Sequence, residues 1–211
     1  MTILFLTDSL SLPREGELEK VNYEDTFPFL LKKKFKEDDC IFLGIGGATI
    51  TDLHRQANYY RGLKPDLVFL QCGIVDCAPR PFRRIETKII NKLKIRFLFD
   101  PIKNILVKYR NYKFTSLHKF NILTNELNNI FKYSKVYSIG ILPSSEEYEK
   151  KLPGITKAIN NYNSILENNL LYIDVLDFPE DGLLSDFHHL NKKGHYFIYE
   201  KTCCIINEQN A

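Results

Sequence analysis

Five short apolar runs, each separated from the next by a stretch with helical spacing, restrict the folds open to this chain more than any other feature of it. They occupy residues 2–6, 40–43, 66–71, 135–141 and 171–176. Strands that are apolar along their whole length, not on alternate residues, belong to parallel sheets buried on both faces. The intervening stretches predict helices over residues 23–36, 48–60, 117–131, 154–167 and 191–206. In the first, Phe27, Leu30, Leu31 and Phe35 share one face, the lysines at 32–34 lie mostly in solvent, and Pro28 is tolerable near the start. The last opens at Asn191, a suitable cap. Strand and helix in this order imply an α/β chain, a three-layer α/β/α domain with a central five-stranded parallel sheet and right-handed crossovers. A length of 211 residues suits one such unit over 1–211.

The net charge of +3 conceals an uneven distribution. Residues 80–119 hold twelve Lys or Arg against only Glu86 and Asp100, so that segment is +10 and the remainder −7. It falls where the alternation predicts a simple strand-to-helix step, and it threads isoleucines, leucines and phenylalanines among the cations. A basic insert of this kind fits a helix packed over the sheet with a solvated face, an anionic membrane or lipid-linked substrate, or an oligomer contact. No recognised nucleic-acid module accompanies it, so nucleic acid is not expected as a partner. The first residues reach Asp8 too soon for a signal peptide or membrane span. Five cysteines at 40, 72, 77, 203 and 204 lack zinc-ribbon spacing and read as reduced thiols of a cytoplasmic protein.

In a sheet of this type, reactive groups lie just past the carboxyl ends of the strands. Four polar or glycine-rich turns do so here. Asp8-Ser9 follows the first strand, residues 44–49 (Gly-Ile-Gly-Gly-Ala-Thr) the second, residues 73–76 (Gly-Ile-Val-Asp) the third, and a loop with Asp186, His188 and His189 the fifth. Ser9 reads either as a turn serine beside Asp8 or as a nucleophile. Its pairing with an aspartate three residues before a histidine favours the second, because a nucleophile, a base and a carboxylate that orients the base are the parts of acyl transfer. His189 is the expected base and Asp186 its orienting partner, while His188 reads as a capping histidine or a substrate contact. His195 reads as a packing or hydrogen-bonding residue. Gly46-Gly47 can expose backbone N–H groups, but the pattern is neither G-x-G-x-x-G nor a P-loop.

Taken in order, these turns resemble the sequence blocks of the SGNH/GDSL hydrolase superfamily. Residues 7–11 (Thr-Asp-Ser-Leu-Ser) stand for the Gly-Asp-Ser-Leu block, 44–49 for the glycine block, 73–76 for Gly-x-Asn-Asp and 186–195 for the Asp-x-x-His block. The resemblance implies a flavodoxin-like fold, an esterase or acyltransferase, and neither metal nor cofactor. It makes Ser9 the nucleophile, His189 the base and Asp186 its orienter, with the Ser9 and Gly47 amides as oxyanion donors. Two blocks depart from the pattern. Thr7 replaces a glycine, and Val75 stands where the asparagine that donates to the oxyanion is found.

A missing oxyanion donor costs about 2.7 to 4 kcal/mol, roughly 10²–10³ in rate. Three accounts of Val75 are open: a substitute donor from Arg80 or Arg14, an anionic substrate group held by those arginines, or a protein that binds without catalysis. Asp8, Arg14, Asp76, Arg80 and His188 are therefore the expected substrate contacts. The runs Gly-Ile-Val-Asp-Cys-Ala-Pro-Arg, Leu-Pro-Arg and Tyr-Glu-Asp-Thr-Phe-Pro also resemble SGNH-like proteins of bacterial surface-polysaccharide clusters, which implies an acylated carbohydrate as substrate. A polysaccharide built on lipid-linked carriers would place the basic insert at the inner face of a membrane.

Overall fold

The chain enters the sheet at once. In the computed structural model, which describes residues 1–210 and all their side chains except those of Arg84 and Arg96, strand β1 spans Thr2–Thr7. Ala211, the last residue of the expected 1–211 unit, lies outside the described residues. Strands β2 (Asp39–Gly44), β3 (Leu67–Gln71), β4 (Lys135–Ile139) and β5 (Leu171–Ile173) complete a five-stranded sheet of order β2-β1-β3-β4-β5, parallel throughout. The order reverses direction at β1, whose neighbours are β2 and β3, and that topological switch leaves a crevice at the carboxyl ends of β1 and β3.

Because strand side chains alternate in direction, β1 supplies both cores. Leu4 and Leu6 join Val68, Leu70 and Val136 beneath helices α2 (Ile50–Tyr60), α5 (Leu117–Ile130) and α6 (Ile155–Asn169). Ile3 and Phe5 join Leu67, Phe69 and Ile139 beneath α1 (Phe27–Lys34) and α7 (Lys192–Asn210). On that second face Phe42, Phe5, Phe69 and Tyr137 stack in a row across four strands, with centroids 4.3, 4.9 and 5.4 Å apart. The three layers and the parallel sheet are those the alternation predicts.

The departures are local and physical. Residues 23–36 do not form one helix: a 3-10 turn at Tyr23–Asp25 is followed by α1 from Phe27. Pro28 has no N–H to donate and so sits only in a first turn. Strand β5 stops at Ile173 because the Asp174 carboxylate accepts from the Leu176 amide and turns the chain. The predicted cap of α7 is present, with Asn191 Oδ1 accepting from Gly194 N at 3.0 Å.

The basic segment folds into two helices, α3 (Arg84–Lys92) and α4 (Lys103–Arg110), joined by 3-10 turns at Arg96–Leu98 and Asp100–Ile102. An antiparallel bridge between Arg80 and Tyr112 closes its base, and Arg110 ties α4 to Glu86 of α3 at 2.7 Å. Helix α5 begins at Leu117 under a Ser116 cap, so the last residues of the 80–119 span already belong to the α/β layers.

Candidate active site

Leaving β1, Asp8 keeps one ladder bond, its amide donating to Gln71 O at 3.0 Å, and then turns the chain. Asp8 Oδ1 caps a single 3-10 turn by accepting from Leu10 N, and Ser9 is the first residue of that turn. Thr7, the departure from glycine in this block, is fully buried and its hydroxyl hydrogen-bonds Ser11 Oγ at 2.7 Å, so the turn uses the extra side chain.

On the opposite side, residues 183–190 close on themselves through the Leu183–Leu190 bridge and the bond from Leu184 N to His189 O. At the tip Phe187 has φ +68°, a left-handed conformation that a bulky side chain rarely adopts. The reversal lets one carboxylate serve three donors. Asp186 Oδ1 accepts from the amides of His189 (3.0 Å) and His188 (3.2 Å), and Oδ2 accepts from His189 Nδ1 at 2.6 Å. The other ring nitrogen, Nε2, lies 3.1 Å from Ser9 Oγ. The structure thus brings Ser9, His189 and Asp186 into one hydrogen-bonded line, from residues 180 positions apart.

The polarity of that line follows from charge. Burial pushes the Asp186 carboxyl up, but the His189 ring and amide and the adjacent His188 outweigh it and hold the group well below the usual carboxylate range. An ionised carboxylate only accepts, so Nδ1 of His189 carries its proton and Nε2 is left to accept from the Ser9 hydroxyl. Asp186, His188 and His189 also present ligand atoms within 4.8 Å of one another. Both His189 nitrogens are, however, already committed within the line.

Two of the turns leave a backbone N–H open. Among the described residues, the amides of Ser9 and Gly47 donate to no protein acceptor. Gly47 has φ +68°, which frees its N–H from the turn at no steric cost. In the third block Gly73 has φ +123°, and a Cβ there would come within 2.4 Å of Ile141, so only glycine fits. Val75 lines the cleft just beyond, and its side chain has no hydrogen to donate.

Two of the expected substrate contacts are placed elsewhere. Asp76 is fully buried; both its oxygens accept from Ile50 N at 3.1 Å, and Thr115 Oγ1 donates to it as well. It thereby fixes the start of α2 and with it the glycine turn. Asp8 is also fully buried, occupied as a cap. Burial pushes its carboxyl up to about 7, partly offset by the Leu10 amide and the Gln71 side chain. Neither carboxylate reaches the cleft: the turn after β1 claims that of Asp8, and the start of α2 with Thr115 claims that of Asp76.

Arg80, His188 and Asp186 do line a cleft of about 330 Å³, with Lys103, Tyr148 and Lys151. Arg80 stacks on Phe114 at 3.9 Å and reaches Val75 O at 3.5 Å, which fixes its guanidinium at the cleft wall. His188 stacks against Tyr148, and its ring is held less basic by burial and by His189, with Arg14 near enough to add to the effect. Lys103, Tyr148 and Lys151 carry no sequence signal: each comes from an element with no recognisable motif, and only the fold brings them to this edge.

His195 takes no part. It is buried where α7 packs on α1, its Nδ1 accepting from Phe27 N at 3.3 Å, and burial pushes it down to about 4. The native ring stays neutral while the unfolded ring gains a proton below about pH 6.5, so its contribution is present above that pH and lost as pH falls towards 4, by up to about 3 kcal/mol. Asp8 runs the other way, since its native proton is retained to about pH 7 while the unfolded chain releases it near 4. Urea unfolding of the parent and His195→Asn at pH 7 and pH 4.5 isolates the histidine. The stability difference between the two proteins should shift in favour of the variant at the lower pH, and a constant difference would refute the assignment.

No protein-family model and no curated protein matches this chain. Solved structures do. A lipase/acylhydrolase from Enterococcus faecalis superposes with a TM-score of 0.69 at 16% identity, covering 99% of this chain and 96% of that one. The psychrotrophic esterase EstA from Pseudoalteromonas sp. gives 0.60 at 18% identity, covering 99% and 97%. A GDSL-like lipase from Bacteroides thetaiotaomicron gives 0.63 at 15%, covering 99% and 88%. The fold is therefore the one that this acylhydrolase, this esterase and this GDSL-like lipase share, over nearly the whole chain.

Proposed function

We propose that this protein is a divergent serine-dependent hydrolase or acyltransferase of the SGNH/GDSL type, acting on an acylated carbohydrate. The observation that carries the reading is the continuous line from Ser9 Oγ through the His189 ring to Asp186, at 3.1 and 2.6 Å. Ser9 Oγ attacks the ester carbonyl as Nε2 takes its proton, and the Ser9 and Gly47 amides hold the oxyanion. His189 returns the proton to the departing alcohol, leaving an acyl group on Ser9. Water or a sugar hydroxyl, deprotonated by the same nitrogen, then releases it. Arg80, Lys103 and Lys151 in the cleft support a substrate with an anionic group next to the ester, since these cations face the same space as His188.

The direct test is reaction with a fluorophosphonate, followed by peptide mass spectrometry. The adduct is expected on Ser9, and a protein that stays unlabelled at every serine is not this kind of enzyme. The rival reading, a protein that binds a carbohydrate or anion without turnover, rests on Val75 and predicts that second outcome.

Val75 also offers a gain-of-function test. Val75→Asn restores an amide donor at the cleft wall, and kcat on p-nitrophenyl acetate is expected to rise by roughly 10²-fold with little change in KM, because the new bond forms only as the oxyanion does. An unchanged kcat would mean that a third donor is already in place, and Arg80 is then the group to replace.

A further inference from the structure

The surface of the insert is apolar where a solvated surface should not be. Eight of the eighteen large apolar side chains exposed among the described residues lie between positions 85 and 109, a segment of 25 residues in a chain of 211. They are not scattered. Ile85, Ile89 and Leu93 are 72%, 53% and 60% exposed and recur at every fourth position, so they form one stripe along α3 and past its end. The opposite side of that helix is already used: Ile90 is buried, and with Thr87 and Asn91 it lines a cavity of about 260 Å³ beneath. The outward stripe is thus a second apolar face, not the core-facing one. Helix α4 repeats the arrangement, with Val107 buried and Ile105 and Tyr109 exposed four residues apart.

We infer that this insert docks the protein on an anionic lipid bilayer, with α3 lying in the interface. Lys88, Lys92 and Lys94 flank the stripe, within a segment of net +10. Apolar side chains that enter the acyl boundary while cations meet anionic headgroups satisfy both features at once. A second copy of the chain does not, because a two-fold interface would set the +10 segment against itself. A nucleic acid would use the cations and leave the aliphatic stripe in water. None of the described helices is long and apolar enough to cross a membrane, so the contact is a surface one. The cavity beneath α3 shares Arg80, Pro81 and Lys103 with the cleft that reaches Asp186 and His188. Docking therefore sets the candidate active site beside the lipid surface.

Co-sedimentation with vesicles tests this, using phosphatidylcholine alone and phosphatidylcholine mixed with phosphatidylglycerol. The protein is expected to partition onto the anionic vesicles and not onto the neutral ones. Replacing Ile85, Ile89 and Leu93 together with serine should weaken partition at least about tenfold, and Lys88→Glu with Lys92→Glu by about 30-fold or more. All these positions are exposed, and circular dichroism checks that each variant keeps its helices. Ser9→Ala must bind like the parent, which separates this inference from the catalytic one. Failure to bind anionic vesicles, equal binding by the parent and both variants, or a dimer in sedimentation that the serine variant abolishes would overturn it.

Discussion

Ser9→Ala is expected to lower kcat on p-nitrophenyl acetate by about 10⁴- to 10⁶-fold and to abolish phosphonate labelling, with the fold intact. The size follows from what is removed and what is left. The hydroxyl is the only atom in the line able to form the acyl-enzyme, so the two-step route closes altogether. The Gly47 amide, the cleft and His189 remain, and they sustain only slow direct attack by water. Stability should change far less than activity, because Ser9 is a small buried side chain in a turn that Asp8 caps independently. Loss of that hydrogen bond, with the His189 ring nitrogen left unpaired, is worth about 1 to 3 kcal/mol. Urea midpoints measured beside the rates distinguish a missing nucleophile from a damaged fold. A variant that turns over at the parental rate places the chemistry elsewhere, whatever the geometry at Ser9.

What the sequence discloses about this site depends on how local each cause is. The parallel sheet is legible because burial on both faces writes itself into every strand, as in residues 67–70, where Leu, Val, Phe and Leu are all buried. Asp186 and His189 are legible as a pair because three residues separate them and the loop between them is self-contained. Asp8 and Asp76 mislead for the opposite reason. Both stand in motif positions beside the strand ends, but Asp8 is taken by an amide two residues on, and Asp76 by an amide 26 residues back and a hydroxyl 39 residues on. Whether an aspartate at a strand end faces substrate or a helix start is decided by a neighbouring element, which residue type does not encode. The same holds for the insert. Its charge is legible from composition, whereas the outward direction of the Ile85, Ile89 and Leu93 stripe emerges only once Ile90 is seen to occupy the inner side.

Asp186→Asn is expected to cost about as much as the most damaging change short of removing the nucleophile, roughly 10⁴-fold in kcat, while the loop stays folded. Asp186 Oδ1 accepts from two backbone amides and Oδ2 from the His189 ring, three donors that an ionised carboxylate satisfies together. Asparagine offers one oxygen and one NH₂ in their place. With the oxygen towards the two amides, its NH₂ confronts the proton on Nδ1, and the ring relieves the clash by moving that proton to Nε2. With the amide flipped, the NH₂ confronts two backbone donors, which cannot tautomerise. The first orientation is cheaper, since it costs a ring tautomer and not two backbone hydrogen bonds. In it, Nε2 bears a hydrogen and cannot accept from Ser9, so the base is lost without losing the histidine. Nitrogen chemical shifts of the His189 ring would show the exchange of tautomers directly, and phosphonate labelling of Ser9 should slow in parallel with turnover. A loss smaller than tenfold, or a ring that keeps its proton on Nδ1, would reduce Asp186 to a scaffold for the loop and leave the orientation of His189 to other contacts.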